Sequence, residues 1–299
     1  MATQTDSRSF VSDQRRERVE NLVYAFRHNT KAVVGLGLIL GLTVLAILAP
    51  ILVSQEAANQ MNVQNRFAAP SLQHPFGTDN LGRDMLSRTL LGVQISLFVG
   101  VSSVAISSAI GVPLGGFAGY AGGRFDDLIM RTMDIVMSFP PILVAMAITA
   151  ILGPTLTNAI IAIGFVYIPY FARITRSETI SVSQEEFIEA SEAIGERDSY
   201  ILFREVLPNA AAPIIVQASI SIAFAILAAA GLSFLGLGAQ PPTPSWGLML
   251  QQAKQYLTQA PWMAVFPGLG IALTVFGFNL FGDGVRDVLD PDTDTEMGG

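Results

Sequence analysis

The chain has no cysteine and only two lysines, Lys31 and Lys254, in 299 residues. Without thiols there is no disulfide framework, no cysteine nucleophile and no cysteine-rich zinc site. The scarcity of lysine excludes ATP hydrolysis through a phosphate-binding loop. That loop reads G-x-x-x-x-G-K-[ST], because its lysine reaches the terminal phosphates; here the two lysines follow Thr30 and Ala253. Charge of either sign is sparse. Charged residues make up 14% of the chain against 51% apolar, with a net charge of −7, whereas a soluble domain holds about a quarter charged residues. Scattered arginines on a net-acidic chain leave no nucleic-acid footprint.

What the chain does have is long apolar runs. A bilayer core of ~30 Å needs roughly 20 apolar residues per helix, and six stretches qualify: 32–53, 94–117, 129–152, 156–174, 211–237 and 262–283. The expected fold class is therefore all-α, a polytopic membrane protein with six transmembrane helices. Pro140 and Pro141 interrupt the third run and Pro169 the fourth. Each removes a backbone donor, so the three are expected to kink their helices. A polar, charged stretch precedes the first run, which reads as a retained span and not a cleaved leader.

Lys and Arg set the sidedness. With the N-terminus inside, the inner segments hold thirteen cations, including Arg15, Arg124, Arg173, Arg204 and Arg286. The outer segments hold four: Arg66, Arg83, Arg88 and Lys254. Both termini are thus expected on the cytoplasmic side. His28 and His74, the only histidines, then lie on opposite faces of the membrane, so no metal site is expected. Ahead of the first run, Val19, Leu22, Val23 and Phe26 recur at helical spacing among arginines. That pattern predicts an amphipathic helix lying against membrane lipid. The acidic, aperiodic end predicts a disordered tail. The organisation expected is 1–92 (amphipathic helix, first span, external loop), 93–284 (the membrane domain) and 285–299 (the tail).

One segment breaks the apolar pattern. Residues 185–209, EEFIEASEAIGERDSYILFREVLPN, form a charged helix–glycine–helix between the fourth and fifth runs, on the cytoplasmic side. Ser183 and Glu186 fit a capping box for the first short helix. Gly195 takes a left-handed conformation without steric cost and stops it. Asp198 caps the second helix, and Pro208 leads into the fifth run. Two stubby helices tied at both ends to spans transmit displacement. A second polar segment, Gly77, Thr78, Asp79, then Gly82, Arg83, Asp84, continuing to Ser87 and Arg88, lies outside before the second run. Its acids and arginines are spaced to pair locally, and Asp79 is placed to cap the helix that follows.

Glu189, Ala190, Ser191, Gly195, Leu207 and Pro208 resemble the cytoplasmic "EAA" loop of ABC importer permeases, with Ser191 in place of the second alanine and Glu196-Arg197 in place of small residues. The stretch from Gly77 to Arg88 resembles the GTDxxGRDxxSR signature of dipeptide, oligopeptide and nickel importer permeases. Gln240, Pro241, Pro242 with Ser245, Trp246, Gly247, and Asn279 through Pro291, are similar to two further segments of that group, C-type (DppC/OppC) branch. The resemblance implies a type I importer membrane domain and transport of dipeptides or oligopeptides, with nickel or another small solute as the alternative. It also implies a heterodimer with a second permease, two cytoplasmic ATPase subunits and an external solute-binding protein. No cofactor is then held by this chain, and ATP and magnesium are used by the ATPases. Glu189 becomes a polar contact with an ATPase, Gly195 the hinge and Pro208 the rigid link. The external segments become either structural caps or surfaces that meet the binding protein.

Two other classes compete. Intramembrane proteolysis needs facing acids, and only Asp134 and Asp283 come close; Arg131 and Arg286 stand near enough to satisfy them. An ion-coupled carrier commonly uses buried acids at mid-membrane, but the mid-span polar residues here are mild, among them Ser103, Thr149, Gln217 and Ser221. Such residues more often permit close helix packing.

Overall fold

A computed structural model describes residues 23–289. The described residues fold as helices and their connecting turns, with no strand and one isolated bridge, Thr78 with Asp84. Residues 23–28 are helical; Val19 and Leu22 of the expected amphipathic stripe lie outside the described residues, as does 290–299. The first span, α1 (Thr30–Leu52), is capped by the Asn29 side chain accepting from Ala32 N. A short α2 (Gln55–Asn59) follows. Helix α3 (Met85–Ala121) runs 37 residues, on the order of 55 Å at 1.5 Å per residue. It therefore outreaches the 94–117 segment expected from hydropathy at both ends. Pro113 sits inside it without ending it.

The third expected span is a corner. Helix α4 (Gly123–Met137) and α5 (Pro141–Leu152) meet at 85°. Pro140 precedes α5 and Pro141 is its first residue, so neither bends a continuous helix. A residue before proline is driven out of the α region, and Phe139-Pro140-Pro141 applies that restriction twice in succession. Among the described residues five helices are long and apolar enough to cross a membrane, and the bent pair makes a sixth. Pro169, by contrast, lies buried within the unbroken α6 (Leu156–Val182).

Helix α6 passes the expected end of its apolar run by eight residues, and the arginines near that end are ion-paired. Arg176 donates through Nε and Nη2 to both carboxylate oxygens of Asp126, each at 2.5 Å. Arg173 pairs with Asp134, so Arg173 and not Arg131 satisfies that acid. The first of these is the bidentate geometry that fixes orientation as well as distance. It holds the amphipathic α4 against α6.

The core of the domain is α3 laid along α6, the most extensive helix contact among the described residues. Gly111, Gly115 and Gly119 form a stripe every fourth residue on α3. A Cβ at these positions would stand within 2.7 Å of the carbonyl oxygens of Ile168, Ala172 and Arg176 respectively. The two backbones touch, which only glycine permits. Helix α9 (Ala211–Phe234) packs on α3, α6 and α11 (Trp262–Leu289), and α1 lies along α11. There Lys31 Nζ pairs with Asp287 at 3.0 Å. Helix α11 continues five residues into the segment expected to be a disordered tail.

Candidate functional site

The 185–209 segment folds as an elbow. Helix α7 (Glu186–Ala193) ends at Gly195, whose φ is +80° and whose N–H donates to Glu192 O at 2.9 Å. Nothing lies within 4 Å of a Cβ built there, so the glycine is required by backbone conformation and not by crowding. The expected left-handed stop is in place. The capping box is not: Ser183 closes α6, its hydroxyl buried without a partner, while Glu185 begins α7 with no side-chain cap. The cause is the extra length of α6, which consumes the residue that would have capped. Arg197, not Asp198, occupies the cap of the second helix. That helix, α8 (residues 198–209), is π-wound through Ile201–Val206. Only Ala210 separates it from α9, and Pro208 falls at its last full turn.

The elbow has its own small core. Ile188, Ile201, Leu202 and Val206 are buried together and packed against Tyr120 of α3 and Val182 of α6. Leu207 reaches Gly116 of α3. The elbow is thus clamped to the ends of two long helices and continuous with a third. Its outer face carries Phe187, Ile194, Tyr200 and Phe203, exposed by 44, 76, 49 and 56%, among Glu185, Glu186, Glu189, Glu192 and Asp198, all exposed. Four large apolar groups thus stand exposed beside an acidic rim, a patch of the kind that commonly marks an interaction site. Glu189 and Ala190 lie on the exposed side, while Ser191 turns its hydroxyl back to Phe187 O at 3.1 Å. In the sequence these apolar residues read as helix periodicity; the alternation of buried Ile188 with exposed Phe187 divides core from open face.

The segments expected outside are largely buried. Thr78, Asp79, Arg83 and Arg88 are at most 3% exposed. Asp79 does not cap α3. Its carboxylate accepts from Leu81 N, Arg83 N and Arg83 Nε, the last at 2.6 Å, and Arg83 reaches on to Gln252 Oε1 at 3.0 Å. Asp84 takes the cap, accepting from Ser87 N at 2.8 Å. Gly77 and Gly82 both hold positive φ in this turn. Arg88 donates to Asn59 Oδ1 at 2.6 Å. Trp246, which opens α10 (Trp246–Ala253), is buried and donates to Thr89 O at 3.0 Å. Gly92 and Gly270 leave it room; a Cβ at either would come within 2.6 or 2.7 Å of the indole. Gln240 is exposed, and its amide clasps Gly236 O and Gly238 O.

A cavity of about 700 Å³ opens between α5, α6 and α9. Its wall on α9 is Gln217, Ile220, Ser221, Phe224, Leu227, Ala228 and Gly231, a stripe at helical spacing. Tyr167 and Tyr170 face it from α6 and Ile142 from α5. No charged side chain lines it. A second cavity of about 410 Å³, toward the elbow end of α9, shares Gln217 and Ile220 and reaches Arg286. Sequence reasoning placed none of these as a path. Among the described residues no group of three His, Asp or Glu gathers to hold a metal.

Residues 111–295 match the family described as binding-protein-dependent transport system inner membrane component, and residues 22–72 match the N-terminal TM domain of oligopeptide transport permease C. The dipeptide transport system permease protein DppC of Alkalihalophilus pseudofirmus is 49% identical over 265 residues, covering 89% of this chain and 87% of that protein. The glutathione transport system permease protein GsiD of Escherichia coli is 47% identical over 266 residues, covering 89% and 88%. Among solved structures, the inward-facing MetNI methionine ABC transporter superposes with a TM-score of 0.59 at 21% identity, covering 69% of this chain and 98% of that one. That last likeness is one of fold.

Proposed function

The chain belongs to the binding-protein-dependent inner membrane permease family, DppC/OppC type, and we propose from this premise that its cargo is a dipeptide or oligopeptide. As a permease of that family it is a transport subunit, and ATP is hydrolysed by separate subunits. In this reading both termini face the cytoplasm, which the arginine distribution supports. The elbow at 185–209 meets an ATPase on each cycle. A second permease completes the pathway, and an external binding protein delivers cargo. Nickel is the alternative cargo; the relatives named for dipeptide and glutathione favour the peptide.

The observation that carries the mechanism is the elbow's division of labour. Its inner face is locked to α3 and α6 through Ile188, Ile201, Leu202 and Val206, while Phe187, Ile194, Tyr200 and Phe203 stay open. A push on the open face is delivered to three helices at once. ATP binding shifts the inward–outward equilibrium only insofar as the ATPases grip the two states differently, and the elbow is where that difference enters. Glu189 supplies a polar contact, Gly195 the hinge and Pro208 the stiff junction with α9.

The test is uncoupling. Proline at 195 fixes φ near −65° where +80° is needed and deletes the N–H bonded to Glu192 O. Gly195→Pro and Glu189→Arg variants should insert and assemble, yet hydrolyse ATP without accumulating labelled dipeptide. Wild-type uptake by both would refute the lever.

A further inference from the structure

We propose that Gln217, supported by Ser221, is a cargo contact: a side-chain amide that pairs with the amide backbone of a passing peptide. This rests on the peptide-importer reading and assigns a residue to it. Along the wall of the larger cavity every group from α5 and α9 is apolar except this pair, and the tyrosines complete the polar set. Gln217 also lines the second cavity, so it stands where the two meet, between the outer volume and the elbow end.

The chemistry of the pair fits an amide. Gln217 Nε2 donates to Ser221 Oγ at 3.0 Å, which orients the side chain and leaves it one further N–H and its carbonyl oxygen. One donor beside one acceptor is the complement of a peptide unit's C=O and N–H. In an apolar wall such a bond is stronger than in water, and an unmatched polar cargo is penalised. The same wall suits a bare divalent cation poorly. Carboxylate, imidazole and thiolate are all missing from it, and a nickel ion selects nitrogen, oxygen or sulfur donors of those kinds. A volume of about 700 Å³ lies inside the range of organic-ligand sites. The site therefore favours amide-bearing cargo over a bare cation, without reading the cargo's side chains.

The absence of native cysteine makes the test direct. In the assembled transporter, the thiol of a Gln217→Cys variant should react with a water-soluble methanethiosulfonate, read by mass on this chain. Peptide-loaded binding protein with ATP should slow that reaction. Ser177→Cys, exposed on α6 beyond its apolar run and outside both cavities, is the control that cargo leaves unprotected. Separately, Gln217→Leu should lower peptide uptake about five-fold, the effect of one neutral hydrogen bond, and Gln217→Asn should recover part of it. A thiol at position 217 that fails to react or gains no protection, or wild-type uptake by the leucine variant, overturns the assignment. Loss of ATP-dependent peptide uptake in the wild-type complex itself would instead sink the peptide reading from which it starts.

Discussion

Truncating Phe203 to alanine should weaken capture of the ATPase subunits without disturbing the fold. Phe203 is 56% exposed and belongs to the π-wound turn, next in sequence to Leu202 but outside the buried cluster that Ile201 and Leu202 join. A phenylalanine presents on the order of 200 Å², so about 110 Å² is open. At ~25 cal/mol per Å² its full burial is worth about 2.8 kcal/mol. Alanine keeps the β-carbon, and docking costs side-chain freedom, so the net loss should be about 2 kcal/mol, or roughly 30-fold in Kd. The assay titrates purified ATPase subunits onto the permease pair in nanodiscs, then measures peptide uptake per ATP in liposomes. Ile201→Ala serves as contrast. It empties a fully buried position at a cost of roughly 2–5 kcal/mol, so it should lower the unfolding temperature while Phe203→Ala does not. A Kd for Phe203→Ala within about two-fold of wild type would show that the exposed face is not the contact and refute the reasoning.

Two further outcomes follow from the packing. Trp246→Ala should destabilise the purified chain by roughly 3–5 kcal/mol, visible as a lower unfolding temperature, because the indole fills the gap between Gly92 and Gly270; photocrosslinkers placed at 246 should label only this chain. A double-mutant cycle on Asp126 and Arg176 should show coupling within the ~0.5–3 kcal/mol seen for contacting pairs, since both carboxylate oxygens are engaged. Additive single-variant losses in transport activity would mean that α4 is held by something else.

Helix existence was plain in the sequence because each apolar run exceeded the membrane's need. Helix ends were not. Hydropathy stops where polar residues begin, whereas α3 and α6 continue as long as caps and ion pairs satisfy them: Asp84 at the start of one, Arg173 and Arg176 along the other. The left-handed stop at Gly195 was legible because a lone glycine between two short amphipathic helices commonly ends the first of them. The tandem prolines signalled disruption, but a corner of 85° needs the succession of restricted residues to be weighed together. The burial of Thr78, Asp79, Arg83 and Trp246 was hidden, since polar motifs between spans look equally suited to solvent or to a folded cap. The cavity stripe on α9 was invisible for a different reason. Lipid and an apolar cavity ask for the same side chains, so hydropathy cannot say which face of a membrane helix meets which.

The backbone contact along Gly111, Gly115 and Gly119 sets how this subunit deforms. Where helices meet through long side chains, rotamers can change and the pair can slide; where main chain rests on main chain there is nothing to re-sort. Helices α3 and α6 should therefore travel as a single strut of about double thickness. Give in the molecule is then left to the corner before Pro141 and to the glycine of the elbow, Gly195.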